Sequence, residues 1–237
     1  MITTVLFDLV DTLVEQTEEQ ANLRYETQVK AIHDSLKNDG ILVEWHLFEK
    51  EYMEIRKRQM VESKETLKEY ELNRRVSDVL STLGHEVPSS SATIRRATDV
   101  YMDLWIRTLN MNQTVHTLLK ELAGEYKLGL VTNFSHVPGA NRTIDRFNLR
   151  PYFQTIVISG EFGWKKPSPR IFDAALRNLF SEPGETMFVG DDCEGDIAGA
   201  KQAGMRTVLI QRKQEECQVA DFTIKSIAEL PTTIRRL

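Results

Sequence analysis

The stretch Val5-Leu-Phe-Asp-Leu-Val-Asp-Thr-Leu13 joins a short run of strand-forming residues to a turn, and it delivers a carboxylate, Asp8, where the run ends. Continuous apolar character at Val5, Leu6 and Phe7 suits a strand covered on both faces, as in a parallel sheet. Ligands of such sheets bind beyond the carboxyl ends of the strands. Asp8 therefore stands where a functional carboxylate can act. Two residues on stands Val10, whose side chain has no acid–base chemistry, and that neighbour has to be explained.

Working outward, the same texture recurs. Lys127–Thr132, Thr155–Ser159, Thr186–Gly190 and Thr207–Ile210 are short apolar runs next to Gly, Asn, Asp or Ser, with a weaker run at Asp221–Ile224. Helical patterns lie between them at Val115–Ala123, Pro138–Phe147, Pro169–Leu179 and Glu194–Ala203, the last followed by Gly204 as a C-terminal stop. Strands alternating with helices from about residue 112 predict a parallel sheet with helices on both faces. The expected class is α/β, a doubly wound parallel sheet.

Residues 15–108 read differently. Tyr25, Val29, Ile32 and Leu36 fall at helical spacing, as do Ile94, Ala97, Tyr101, Leu104 and Trp105. The middle, Trp45 to Leu83, is rich in good helix formers, and Gly84 and Pro88 mark a turn before the last helix, with Ser89–Ser91 supplying its N-cap. An all-helical insert is expected between the first strand and the rest of the sheet. The domains expected are thus 1–14 with 109–237, and 15–108. The Arg pairs at 74–75 and 95–96 are interspersed with acidic residues and read as solvated helix faces.

At 237 residues the chain can bury a substantial core. A net charge of -5 without blocks of like charge offers nothing to nucleic acid or anionic lipid. No apolar run approaches a membrane span, and the first residues read as a strand rather than a leader. Cys193 and Cys217 make no disulfide framework and have no metal-ligand spacing, so a reducing, cytoplasmic setting is expected.

The strand ends gather one kind of chemistry. The first delivers Asp8, the second Thr132 and Asn133, the third leads to Lys165 and Lys166, and the fourth delivers Asp191 and Asp192, with Asp196 about a turn later. Carboxylates suit a hard divalent cation, and a hydroxyl, amides and a lysine suit phosphate. Each residue alone has an ordinary structural explanation as a cap, a turn or an exposed lysine. Their arrival at successive strand ends, in order, does not.

These segments resemble the haloacid dehalogenase-like (HAD) hydrolases over nearly the whole chain. FDLVDTL at 7–13 is similar to the family's nucleophile motif, and LVTN at 130–133 to its phosphate-holding second motif. GWKKPSPRIF at 163–172 resembles the third, which favours Lys166, directly before proline, over Lys165. FVGDDCEGDIAGAKQAGM at 188–205 resembles the acidic metal motif. The resemblance implies a Rossmann-like core and a C1-type cap in the insert. It also implies attack by Asp8 on phosphorus through an aspartyl-phosphate, on a small phosphorylated substrate. Mg²⁺ would be held by Asp8, the carbonyl of Val10 and Asp191, with Asp192 or Asp196; Thr132, the Asn133 amide and Lys166 would hold the phosphate. A monomer or homodimer is expected.

Val10 departs from that pattern. Phosphatases of the family carry there an aspartate that protonates the leaving alcohol, assistance worth ~10²–10⁴-fold. Asp11, one residue later, should face away if the segment is extended. Three readings follow: a Mg²⁺-dependent phosphohydrolase for leaving groups that need little protonation, a 2-haloacid dehalogenase, or a binder of phosphorylated ligands. The acidity of GDDCEGD favours the first, because dehalogenases need no metal.

Among other residues, none of the five histidines has metal-ligand spacing, and His136 reads as a loop histidine without a catalytic role. Cys193 reads as a passive small residue. A Gly-rich dinucleotide turn is missing after the first strand. Arg24, Tyr25 and residues near Trp105 are candidate cap lining.

Overall fold

The computed structural model describes residues 1–16, 24–212 and 217–235, with the side chain of Arg24 outside that description. The chain divides into two compact units, Met1–Glu15 with Asn110–Phe134 and Ile144–Leu237, and Gln16–Leu109 with Ser135–Thr143.

The first unit is built on a six-stranded sheet. Its strands are β1 (Thr4–Phe7), β4 (Lys127–Thr132), β5 (Thr155–Ile158), β6 (Thr186–Gly190), β7 (Arg206–Ile210) and β8 (Phe222–Ile224), in the order β5-β4-β1-β6-β7-β8. All neighbours are parallel, with Phe7 opposite Leu130 on one side and Val189 on the other. β2 (Glu15–Gln16) and β3 (Leu109–Asn110) form a separate two-stranded ladder. β1, β4 and β6 are buried almost throughout, which explains why they read as unbroken apolar runs.

Helices of this unit lie between the strands, α5 (Thr114–Ala123), the end of α6 (Val137–Arg146), the single-turn α7 (Ser159–Phe162), α8 (Pro169–Leu179) and α9 (Gly199–Gln202), and α10 (Leu230–Ile234) follows β8. On one face Ile171, Phe172 and Leu176 of α8 pack with Leu6, Val131 and Phe188 of the sheet. Phe172 meets Phe188 edge to face at 5.3 Å, and each such fully buried side chain contributes about 1.5–3 kcal/mol. The chain winds from β1 through β4 to β5 in one direction and from β6 through β7 to β8 in the other. The sheet's switch point therefore lies at β1 and β6.

The second unit contains α1 (Arg24–Asn38), α2 (Trp45–Thr66), α3 (Leu72–Thr82) and α4 (Ala92–Arg107). Val29, Ile32 and Leu36 of α1 are buried at the expected spacing, and Ser91 caps α4 by accepting from the Ile94 amide at 3.2 Å. The buried face of α4 is Ile94, Ala97, Thr98, Met102 and Ile106; Tyr101, Leu104 and Trp105, expected on it, are half-exposed. Helical spacing admits both stripes, and packing selects one of them. Ser135–Thr143, expected with the sheet, cluster with these helices: Leu72 donates to the Ser135 carbonyl, and Arg142 pairs with Asp99 at 2.7 Å. Among the described residues, no helix is long and apolar enough to cross a membrane.

One expected element changes type. Glu194–Ala203 is not a single α-helix but a π-helical stretch, Cys193–Ala198, followed by α9. Gly204 then stops the helix at φ 86°, as expected of a left-handed C-terminal glycine.

Candidate active site

Asp8 follows β1 directly, its amide donating to the Val189 carbonyl of β6 at 2.9 Å, which fixes the carboxylate at the switch point. The chain then turns tightly. The Leu9 carbonyl accepts from the amides of Leu13 and Val14, and the Asp11 amide donates to the Val14 carbonyl at 2.6 Å. Asp11 adopts φ 62°, the left-handed region that aspartate tolerates better than most residues. The condition under which Asp11 would face away from Val10, an extended segment, is therefore not met, because side chains do not alternate in this turn. Thr12, buried beneath it, reaches Asp191 Oδ1 at 3.5 Å.

Lys166 arrives from the loop after β5 and is only 3% exposed. Its Nζ lies 2.6 Å from Asp8 Oδ1 and 2.6 Å from Asp196 Oδ1, and 5.3 Å from the Phe188 ring centre. Asn133 fixes the backbone that presents it: the Asn133 side chain accepts from the Lys166 amide at 2.7 Å and donates to the Lys166 carbonyl at 3.0 Å. Thr132, buried, ends the neighbouring β4 at the same edge of the sheet.

The acidic loop completes the cluster. Gly190 ends β6, and a β-carbon there would overlap the Asp196 carboxylate. Without that side chain, Asp196 Oδ2 comes close enough to accept from the amides of Asp191 and Asp192 at 3.1 and 3.2 Å. Asp8, Asp191 and Asp196 then offer oxygens that all lie within 4.8 Å of one another, an all-oxygen set suited to a hard cation. Asp192 is exposed and instead caps the π-helix, accepting from the Glu194 amide at 3.2 Å. Of the two alternatives read from sequence, Asp196 joins the cluster and Asp192 does not.

The electrostatics follow from crowding. Burial, then the charges of Asp8, Asp196 and Asp11, push Asp191 up to about 8, with Lys166 opposing. Burial likewise pushes Asp196 upward against the pull of Lys166. For Lys166, burial alone would favour the neutral amine, but Asp196 and Asp8 outweigh it and keep the ammonium protonated well above the usual lysine range. The site holds more buried negative charge than one ammonium balances.

Asp8, Lys166, Asp191 and Asp196 are thus brought together, with Thr132 and Asn133 at the adjoining strand end and Val10 half-buried in the turn. The ion pairs to Asp8 and Asp196 come from Lys166 and not from its neighbour Lys165. Sequence reasoning did not find the Asn133 clasp, the Thr12 contact, or Arg212, whose Nε donates to the Asp11 carbonyl at 2.9 Å. Only an asparagine directly after a strand-end threonine hinted at the clasp. His136 is buried and caps α6, its Nδ1 accepting from the Gly139 amide at 3.0 Å, a structural role.

The cysteine expectation is corrected. Cys193 and Cys217 are disulfide-bonded across a sequence separation of 24. Their spacing carries no signal of pairing, because adjacency of β6 and β7 is what brings the following segments together.

Carboxylates following two adjacent strands, a buried lysine between them and a strand-end threonine at a sheet's switch point define an α/β fold with a buried acidic cluster at its ligand-binding edge. The chain belongs to the haloacid dehalogenase-like hydrolases, the family that matches residues 5–210. A glyceraldehyde 3-phosphate phosphatase of Methanopyrus kandleri is 31% identical over 247 aligned positions, covering 100% of this chain and 99% of the relative. Another, from Pyrococcus abyssi, is 29% identical across 88% of this chain and 81% of its own. Among solved structures, a 2-haloacid dehalogenase from Pseudomonas syringae pv. Tomato superposes with a TM-score of 0.71 at 25% identity, covering 100% and 99% of the two chains. A HAD phosphatase from Thermococcus onnurineus shares the fold with a TM-score of 0.69 at 24% identity, over 98% of each chain.

Proposed function

We propose that this hydrolase is a Mg²⁺-dependent phosphohydrolase with Asp8 as nucleophile, residues 15–108 as a C1-type cap, and a small phosphorylated substrate. The observation that carries the reading is the cluster of Asp8, Asp191 and Asp196 oxygens within 4.8 Å, short of positive charge even with Lys166 inside it. Such a set fits a hard divalent cation, held by Asp8, the Val10 carbonyl, Asp191 and Asp196, with Asp192 further out. When bound, Mg²⁺ supplies charge neutralisation between an anionic nucleophile and an anionic substrate.

This chain's own residues do the rest. Lys166, fixed by Asn133, orients Asp8 and adds positive charge beside the transferring group. Thr132 and the Asn133 amide hold its oxygens. An Asp8 oxygen forms a bond to phosphorus as the bond to the leaving oxygen breaks, giving an aspartyl-phosphate; water then attacks phosphorus and returns the carboxylate. Val10 offers no proton to the leaving group, so the reaction favours acyl phosphates or other good leaving groups over alkyl phosphates. The relatives named as phosphatases, one of them matched over its full length, support phosphate chemistry over halide displacement. A cytoplasmic monomer or homodimer suits such a metabolite hydrolase.

The test is phosphate release from a substrate panel with Mg²⁺. Acetyl phosphate should be cleaved faster than an alkyl phosphate, and Asp8→Asn should abolish both. No release from any phosphate would overturn the reading, and halide release from 2-chloropropionate surviving EDTA would establish a dehalogenase instead.

A further inference from the structure

Within the helical unit, polar groups are buried where the fold gives them nothing to bond. Tyr52 of α2 is fully buried and Gln28 of α1 is 1% exposed. Among the described residues, the hydroxyls of Tyr25 and Tyr52 and the Nε2 of Gln28 are shut off from solvent with no hydrogen-bond partner. The two tyrosine rings lie 6.3 Å apart, and Gln28 stands one turn after Tyr25 on α1. Leaving a buried polar group unpaired costs stability, so native structures rarely keep one, and three around one pair of rings call for a reason.

Two cations stand over the same rings. The guanidinium of Arg56 lies 4.8 Å from the Tyr25 ring centre, and that of Arg75, from α3, lies 5.8 Å from the Tyr52 ring centre. Both arginines are half-buried, and among the described residues neither makes an ion pair. Arg75 Nε donates to Gln59 Oε1 at 2.9 Å, which steers the guanidinium without neutralising it. Burial, then Tyr52, raises the Tyr25 hydroxyl above the usual tyrosine range, while Arg56 and Arg75 pull it down and Glu49 adds a smaller push upward. Tyr25 therefore stays a proton donor, within electrostatic reach of both guanidinia.

We propose that these groups form a binding site for the oxyanion of a small molecule, a phosphate or a carboxylate group, held among α1, α2 and α3. Each of the three unpartnered atoms can donate a hydrogen bond, and the guanidinia add further N–H donors and positive charge. An oxyanion supplies acceptors and negative charge, so it satisfies the hydroxyls, the amide and the arginines at once, which a cation or an apolar ligand does not. A cation–π contact at a partly exposed site is weaker than a charge-assisted hydrogen bond. The entering oxyanion therefore draws both guanidinia off the rings and reaches the hydroxyls beneath. The inference involves neither Asp8 nor a metal and stands independently of the phosphohydrolase reading.

The experiment is calorimetric titration of the full chain in EDTA with inorganic phosphate and, separately, with succinate. At least one probe is expected to bind, phosphate alone marking a phosphate site and succinate alone a carboxylate site. Arg56→Met and Arg75→Met should each weaken binding by about ten- to a hundredfold, the loss of a charge-assisted hydrogen bond. Tyr52→Phe should also weaken it, while leaving Tm equal or higher without the probe, because it deletes a buried hydroxyl that has no partner. A purely structural tyrosine would give the reverse, a lower Tm with unchanged affinity, and that result would overturn the proposal. Binding of neither probe would overturn it too. So would wild-type affinity in both arginine variants, which would place the anion elsewhere, such as at Lys166. Should an arginine variant fail to fold, Tyr52→Phe decides, since it removes a single oxygen. The readout is binding without metal, so failure here leaves the phosphohydrolase reading untouched, and a lack of phosphate release leaves this one untouched.

Discussion

Lys166 Nζ stands 2.6 Å from Asp8 and 2.6 Å from Asp196, joining the end of β1 to the π-helix after β6 through one buried ammonium. Its removal strands two carboxylates at low exposure beside a third. Lys166→Met should cost about 3–5 kcal/mol of stability, the usual consequence of breaking a buried pair by deleting one partner. Urea denaturation measures this. Phosphate release should fall with it, and unchanged stability would mean the pair is loosely solvated.

On the proposed phosphohydrolase reading, Val10→Asp puts a carboxylate at the position expected of the leaving-group acid. Alkyl phosphate turnover should rise by about 10²-fold or more, while acetyl phosphate turnover changes little. Steady-state kinetics on the two substrates provides the comparison. No change would show that another group already protonates the leaving oxygen.

Gly190→Ala forces a β-carbon into the Asp196 carboxylate. Asp196 must then move from the amides of Asp191 and Asp192, with an overpacking cost of about 1–3 kcal/mol. Mg²⁺ affinity, read by calorimetry, should fall as well. Wild-type affinity would mean that Asp196 is not a ligand.

Mg²⁺ should stabilise the native protein by neutralising the crowded carboxylates around Asp191, which burial first and then its acidic neighbours lift to about 8. At 100 times its dissociation constant the gain is about 2.7 kcal/mol, visible as a rise in Tm that EDTA abolishes. Asp191→Asn should shrink the rise. A Tm indifferent to Mg²⁺ would count against a cation site.

His136 provides the pH prediction. Burial is the main cause that lowers it from 6.5 to about 4; Asp99 pulls upward and Arg142 pushes further down. Between those values the unfolded chain binds more protons than the folded one, so stability rises with pH. The contribution is complete above about 6.5 and is lost as pH falls through about 4, amounting to about 3 kcal/mol. His136→Asn, which can still cap α6, should flatten the stability profile between these pH values in urea melts.

The course of the sheet was legible because parallel strands buried on both faces must be written as unbroken apolar runs, and Val5–Phe7 and Met187–Val189 are such runs. Strand-end chemistry was legible for the same reason: a loop residue directly after a buried strand has its position set by the strand. Asp8, Thr132 and Asp191 could be placed that way. The choice between Asp192 and Asp196 could not, because it depends on a π-helical turn and on Gly190 letting a carboxylate reach two amides. Local propensity does not encode that turn.

Longer-range relationships were invisible. Arg212 meets Asp11 across 201 positions and Asn133 grips Lys166 across 33, each an ordinary polar residue in its own neighbourhood. The α4 stripe was half misread, because helical spacing offered Tyr101, Leu104 and Trp105 as readily as Met102 and Ile106.

In VLFDLVDTL, then, residue types and their order were enough to specify a buried strand, the carboxylate behind it and the turn that follows. Which groups surround that carboxylate depended on three-dimensional packing. Parallel pairing sets β6 beside β1 although some 180 residues separate them, and the burial this creates is what makes one ammonium and three carboxylates act on one another.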